Sequence, residues 1–79
     1  MAEVDDKIWE FLEALTGLDR EDLRDGDDLR MDLELDSLDF ASIEADGTLG
    51  IEIEANDLVG VNTVGQLRGK LKQLMEEQA

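Results

Sequence analysis

"LELDSLDFASIEAD", residues 33–46, is the stretch on which the reading of this chain turns. Asp36 is a good helix N-cap, because a short side-chain oxygen there can accept from the free N–H groups of the first turn. Asp39 follows within that turn, where negative charge meets the positive end of the helix dipole. A helix over 37–46 is therefore predicted, stopped by Gly47. Leu38, Ala41 and Ala45 fall on one face, and Phe40 and Ile43 form a second, smaller apolar pair. Ser37 then opens the helix with its hydroxyl exposed. It either helps to start the helix or is a site that another protein modifies. Helix-terminal N–H groups at this point are suited to holding a phosphate.

Outward from this helix, the N-terminal segment "EVDDKIWEFLEALTG" (3–17) has Val4, Ile8, Phe11, Leu12 and Leu15 at helical spacing. Trp9 falls at the edge of that stripe, where half burial is expected. Gly17 stands where a left-handed C-terminal residue belongs. Residues 18–35 hold Leu18, Leu23, Leu29, Met31, Leu33 and Leu35 in no single register. They read as a long structured loop with a short turn near Arg20–Leu23, pinned to the core by its leucines. After the central helix, "IEIE" (51–54) is too short to pair as a strand alone and reads as an extended connection. It leads to a short helix near Ala55–Val59. The last helix opens at a capping box made by Thr63 and Gln66 and carries a stripe of Val64, Leu67, Leu71 and Leu74. Gly65 and Gly69 weaken it by up to about 1 kcal/mol each and are expected to admit a close helix approach. The fold predicted is all-α: a small four-helix bundle, three main helices and one short one, with a long loop between helices one and two, in a single domain over 1–79.

Composition excludes several function classes. Net charge is −15, and residues 19–57 hold 15 of the 22 acidic side chains but only three of the seven basic ones. Nucleic acid and anionic membranes would be repelled, whereas a partner with a basic patch would be attracted and steered. With no Cys and no His, disulfides, Cys/His zinc sites and Ser-His or Cys-His nucleophile pairs cannot be built. No segment approaches the roughly 20 apolar residues of a membrane span, and no signal peptide stands out, so a soluble, cytoplasmic monomer is the expectation. Calcium loops fail on their ligands. "SIEADGTLGIEI" (42–53) puts Ser42 first and Ile53 twelfth, where a bidentate Glu is needed. "EDLRDGDDLRMD" (21–32) puts Leu23 at a ligand position. Nothing in the chain would activate Ser37 as a nucleophile. Any reaction there needs a base and a metal from another protein.

With these residues in place, the sequence resembles the acyl carrier protein family. "LDSLDF" (35–40) is similar to the family's Asp-Ser-Leu attachment motif. "GIEIEANDLVGVNTVGQL" (50–67) resembles its segment after helix two, and "LTGLDREDLRDGDDL" (15–29) the end of helix one and the start of the loop. The resemblance spans essentially the whole chain in the right order. It implies that a phosphopantetheinyl transferase places 4′-phosphopantetheine on Ser37, flanked by Asp36 and Leu38, and that partner enzymes load acyl or aminoacyl groups on its thiol as thioesters. It also implies docking to basic patches through Asp36, Asp39, Glu44 and Asp46. Leu38 is then either a central contact or core, and Phe40 a second contact or a cavity wall.

The sequence departs from the family pattern twice. Glu34-Leu35 stands where a glycine and a small residue usually precede Asp-Ser-Leu, which would alter the approach of a transferase. The stretch from Ser37 to the Ile-Glu-Ile segment is also about two residues short, and this points to a specialised partner set or a small cargo. The function implied is a free-standing carrier for fatty-acid or polyketide intermediates rather than an enzyme with its own active site. An aminoacyl or peptidyl carrier is the alternative, and an unmodified acidic interaction domain a third.

Overall fold

The computed structural model describes residues 2–45 and 49–78, with side chains from Val4 onward. Three α-helices appear: α1 (Ala2–Thr16), α2 (Ser37–Ala45) and α3 (Val64–Glu77). Short 3₁₀ turns lie at Arg20–Asp22 and Ala55–Leu58. The expected fourth helix is thus the second 3₁₀ turn. Among the described residues there is no strand, only an isolated antiparallel bridge between Asp28 and Thr63. The helix end expected at Asp46–Gly47 lies outside the described residues.

The two long helices follow their stripes. Ile8, Phe11 and Leu12 of α1 and Val64, Leu67, Leu71 and Leu74 of α3 are buried, while Val4, Leu15 and Trp9 pack half-buried at the margin. Gly17 ends α1 at φ +73°, donating its N–H to the Glu13 carbonyl at 2.8 Å. At the start of α3 the Thr63 hydroxyl accepts from the Gln66 N–H at 3.2 Å. The Gln66 side-chain carbonyl accepts from the N–H groups of Thr63 (3.1 Å) and Asn62 (2.8 Å). Two donors that an isolated helix would leave free, those of Thr63 and Gln66, are thereby satisfied, with the Asn62 N–H held alongside.

The long loop belongs to the core. Leu23, Leu29 and Leu35 are buried and Leu33 is half-buried, whereas Leu18 and Met31 are exposed, so the expected pinning is carried by four of the six apolar residues. Fully burying one such leucine stabilises the fold by roughly 1.5–3 kcal/mol. Backbone bonds fasten the loop to the start of α3: the N–H groups of Val64 and Gly65 donate to the carbonyls of Asp27 (3.0 Å) and Asp25 (2.9 Å). Gly65 makes this possible. A Cβ there would lie 3.0 Å from the Asp25 Cβ and 3.2 Å from its carbonyl oxygen. The close approach foreseen from the glycines is therefore loop-to-helix, and it occurs at Gly65 only, since Gly69 faces open space. The extended segment after α2 buries Leu49 and Ile53, and its Glu52 exchanges two hydrogen bonds with the Gln78 side chain.

Helix α2 is held differently. Ile43 is its one buried residue, with Phe40 half-buried beside it. The larger apolar set of Leu38, Ala41 and Ala45 faces solvent. With apolar residues at five of nine positions, the helix has no dominant stripe, and it is the Ile43 side that joins the core.

Candidate functional site

The first turn of α2 is built by two aspartates. The Asp36 carboxylate accepts from the N–H groups of Leu38 (3.0 Å) and Asp39 (3.1 Å), while the Asp39 carboxylate accepts from the Asp36 N–H at 3.0 Å. This is a capping box in which aspartate serves both ends. Asp36 is the cap, so Ser37 has no capping task. Its side chain is exposed, and its hydroxyl has no hydrogen-bond partner among the described residues. Ser42, the only other serine, donates its hydroxyl back to the Leu38 carbonyl at 3.0 Å. The capping box also corrects one expectation. The first-turn N–H groups of Leu38 and Asp39 are not free for a phosphate, because the carboxylate between them already takes both.

Beside Ser37 lies an open-sided groove of about 300 Å³. One wall is α2, which presents Ser37, Phe40 and Glu44 at positions i, i+3 and i+7. The opposite wall is the second 3₁₀ turn, with Ala55, Leu58 and the following Val59. Arg30 of the long loop closes one side, its guanidinium 4.9 Å from the centre of the Phe40 ring. Such a cation–π contact contributes about 0.5–1 kcal/mol at an exposed site. The groove is thus mainly apolar, with one cation and one carboxylate at its margin.

Arg30 is aimed by Asp28. The Asp28 carboxylate accepts from the N–H groups of Met31 (2.8 Å) and Arg30 (2.9 Å), closing a turn over residues 28–33. The Met31 N–H bond, then that of Arg30, holds the Asp28 carboxyl below its usual range, assisted by the Arg30 charge. Charged acceptors hydrogen-bonded by backbone donors resist protonation for this reason.

The residues singled out from sequence sit as follows. Leu38 is 76% exposed and is surface rather than core. Met31 (81%) and Val59 (74%) are the other large apolar residues exposed around this region, one from the loop and one from the 3₁₀ turn's end. Phe40 is a groove wall. Asp39 is half-buried, committed to the cap, and borders a different depression with Ala14, Leu15 and Ser42. Glu44 borders the groove, so these two carboxylates face different sides of α2. Asp46 lies outside the described residues. Leu35 is buried, and its N–H donates to the Leu29 carbonyl at 2.9 Å. Its bulk therefore goes into the core and not onto the surface a transferase would meet. Glu34 is exposed at φ +57°, a left-handed conformation that disfavours residues with a Cβ. Arg30, Leu58 and Val59 were not singled out from sequence, and Met31 was named only among the loop's apolar residues. The one available signal was that Arg30, seven residues before Ser37, is the sole basic residue between Arg24 and Arg68.

A family model described as a phosphopantetheine attachment site covers residues 6–71. No curated protein gives a significant match.

Proposed function

The chain belongs to the phosphopantetheine-attachment family of acyl and peptidyl carrier proteins, and on that premise we propose that Ser37 is its attachment residue and that it carries acyl intermediates of a fatty-acid or polyketide type. Proteins of the family bear 4′-phosphopantetheine covalently on a serine and work with a phosphopantetheinyl transferase and biosynthetic enzymes. The observation that carries the assignment is the state of the two serines. Ser37 is exposed at the start of α2 with a hydroxyl that no described residue engages, whereas the Ser42 hydroxyl is bonded back along the helix.

The local surroundings suit the group. Its thiol supplies the thioester chemistry that a chain without cysteine cannot. The groove beside Ser37 offers apolar walls at Phe40, Leu58 and Val59 for a short acyl chain. At about 300 Å³ and open on one side, it suits a small cargo. Partner enzymes would meet Asp36, Glu44 and Asp46 with basic patches around an apolar contact at Leu38 and Met31. Such contacts are salt-sensitive and exchange rapidly. An aminoacyl cargo is the second reading, favoured by Glu44 at the groove, whose carboxylate would pair with a free ammonium group.

The test is intact mass with peptide mapping after incubation with coenzyme A, magnesium and a broad-specificity phosphopantetheinyl transferase. One phosphopantetheine on wild type and Ser42→Ala, and none on Ser37→Ala, is the expected result. Modification that persists in Ser37→Ala would overturn the assignment. Loading the modified protein with butyryl or alanyl groups then separates the cargo readings. A butyryl group that shifts the NMR signals of Phe40 and Leu58 supports the acyl reading, and shifts confined to Glu44 with the alanyl group support the other.

A further inference from the structure

We infer that Arg30 is a positioning residue for the arm: it holds the phosphodiester that attachment creates on Ser37. The inference rests on the reading that Ser37 carries the phosphopantetheine. Its ground is a charge problem in the first turn of α2. A phosphodiester on Ser37 places a negative charge next to Asp36, whose carboxylate occupies the Leu38 and Asp39 N–H groups. The helix terminus therefore meets the new anion with a carboxylate already seated on its donors. A cation beside Ser37 would offset that repulsion.

Arg30 meets that requirement on three counts. It lines the same groove as Ser37. Its guanidinium makes no ion pair with a carboxylate among the described residues, although its segment is the acidic one; Arg20 and Arg68, by contrast, pair with Asp6 and Asp25. It is also held in place before any anion arrives. Phe40 carries its guanidinium from one side, and the Asp28 turn fixes its backbone N–H. A guanidinium stacked on a ring keeps its N–H donors at the edge, where they suit the two terminal oxygens of a phosphodiester in a bidentate pair. The arm would leave Ser37 along the groove, over Phe40 and toward Leu58 and Val59. A carboxylate on the cargo has the same chemistry and is the rival source of the anion.

The experiment follows the Arg30 Nε–H resonance by ¹⁵N–¹H NMR in the full chain. It compares the unmodified protein, the phosphopantetheine form, and that form loaded with an acetyl or a succinyl group. Intact mass and peptide mapping establish independently that Ser37 is modified. The expected result is a downfield shift and slowed exchange of the Arg30 Nε–H on attachment, with no further change on succinyl loading. The ³¹P resonance should move in Arg30→Gln, return toward wild type in Arg30→Lys, and stay unchanged in Arg24→Gln. An Arg30 signal that stays put on attachment and moves only with the succinyl group would overturn the phosphodiester assignment in favour of the cargo carboxylate. A signal that moves in none of the forms, with Ser37 modified, would overturn it outright. A missing modification on Ser37 would overturn both readings, and the mass alone reveals that case.

Discussion

Replacing Glu34 by glycine should stabilise this protein. Glu34 is the one described non-glycine residue at positive φ, +57°, in the left-handed region. For a residue with a Cβ that conformation costs about 1–2 kcal/mol. Glycine removes this cost but adds freedom to the unfolded chain, worth about 0.4–1 kcal/mol in the opposite direction. The net is a gain of up to about 1.6 kcal/mol, centred on about 0.8 kcal/mol. Little is lost in exchange, because the Glu34 side chain is exposed and has no hydrogen bond or ion pair among the described residues. For a domain of this size, 1 kcal/mol corresponds to about 4–8 °C in Tm.

Charge is the confounder, since any neutral residue at 34 also relieves a chain of net charge −15. Glu34→Ala separates the two effects: it removes the charge and keeps the Cβ. Urea and thermal unfolding of wild type, Glu34→Ala and Glu34→Gly, at low and at 0.5 M salt, resolve the contributions. The glycine variant should exceed the alanine variant by the backbone increment at both salt concentrations. Gly60→Ala, at φ +82°, should lose a similar amount. Equal stability of Glu34→Gly and Glu34→Ala would refute the strain at residue 34. The result also bears on the family pattern, in which this position is usually glycine: the glutamate would then be kept for its charge, three residues before Ser37, at a cost in stability.

Three other perturbations follow from the geometry. Ser37→Ala should change unfolding free energy by less than about 0.5 kcal/mol, whereas Asp36→Ala should lose about 1 kcal/mol, because the cap is the aspartate; circular dichroism melts will compare them. Ile43→Ala should cost about 2–5 kcal/mol and speed amide exchange selectively in α2, since Ile43 is the helix's one buried side chain. The lowered pKa of Asp28 stabilises the fold above its ordinary value near 3.8, and that contribution is lost as pH falls through the lower folded value. Asp28→Asn should therefore be the less stable form at pH 6, with the difference shrinking below about pH 4; a constant difference across that range would count against the titration.

The long helices were legible because their signal is local. Stripes at 4, 8, 11, 12, 15 and at 64, 67, 71, 74 are too regular for another reading, and the Thr63–Gln66 box marks its own helix start. The site was legible in part. Asp36 could be assigned as a cap from composition alone, but the return bond from Asp39 committed a residue that had seemed available for docking. Leu38 could not be placed, because a nine-residue helix with apolar residues nearly all round does not declare its buried face. Only the tertiary packing that takes Ile43 into the core decides it. Arg30 was invisible for a related reason. Its meeting with Phe40 joins residues from a loop and a helix, and no periodicity records it.

The distribution of arginines shows why one cation matters in so acidic a chain. Arg20 and Arg68 both lie over the Trp9 ring, at 4.9 and 4.6 Å, and pair with Asp6 and Asp25. They tie the first 3₁₀ turn, the loop and α3 to α1, and their charge is largely neutralised where it stands. Arg30 is stacked on an aromatic ring in the same way but makes no ion pair among the described residues, so no carboxylate occupies its N–H donors. Screening confines such fields to about 8 Å at physiological salt. At that range the acidic chain as a whole would attract a basic partner, while Arg30 supplies the one cation lining the groove beside Ser37. A basic partner and an anionic arm are thus attracted to different points of the same face. Moving the charge by Arg30→Gln paired with a new arginine on the far side of α1 would keep the net charge and the long-range attraction. It should leave partner association rates unchanged while moving the ³¹P resonance as Arg30→Gln does. Slower association with an unmoved ³¹P resonance would show that Arg30 acts on docking and not on the arm.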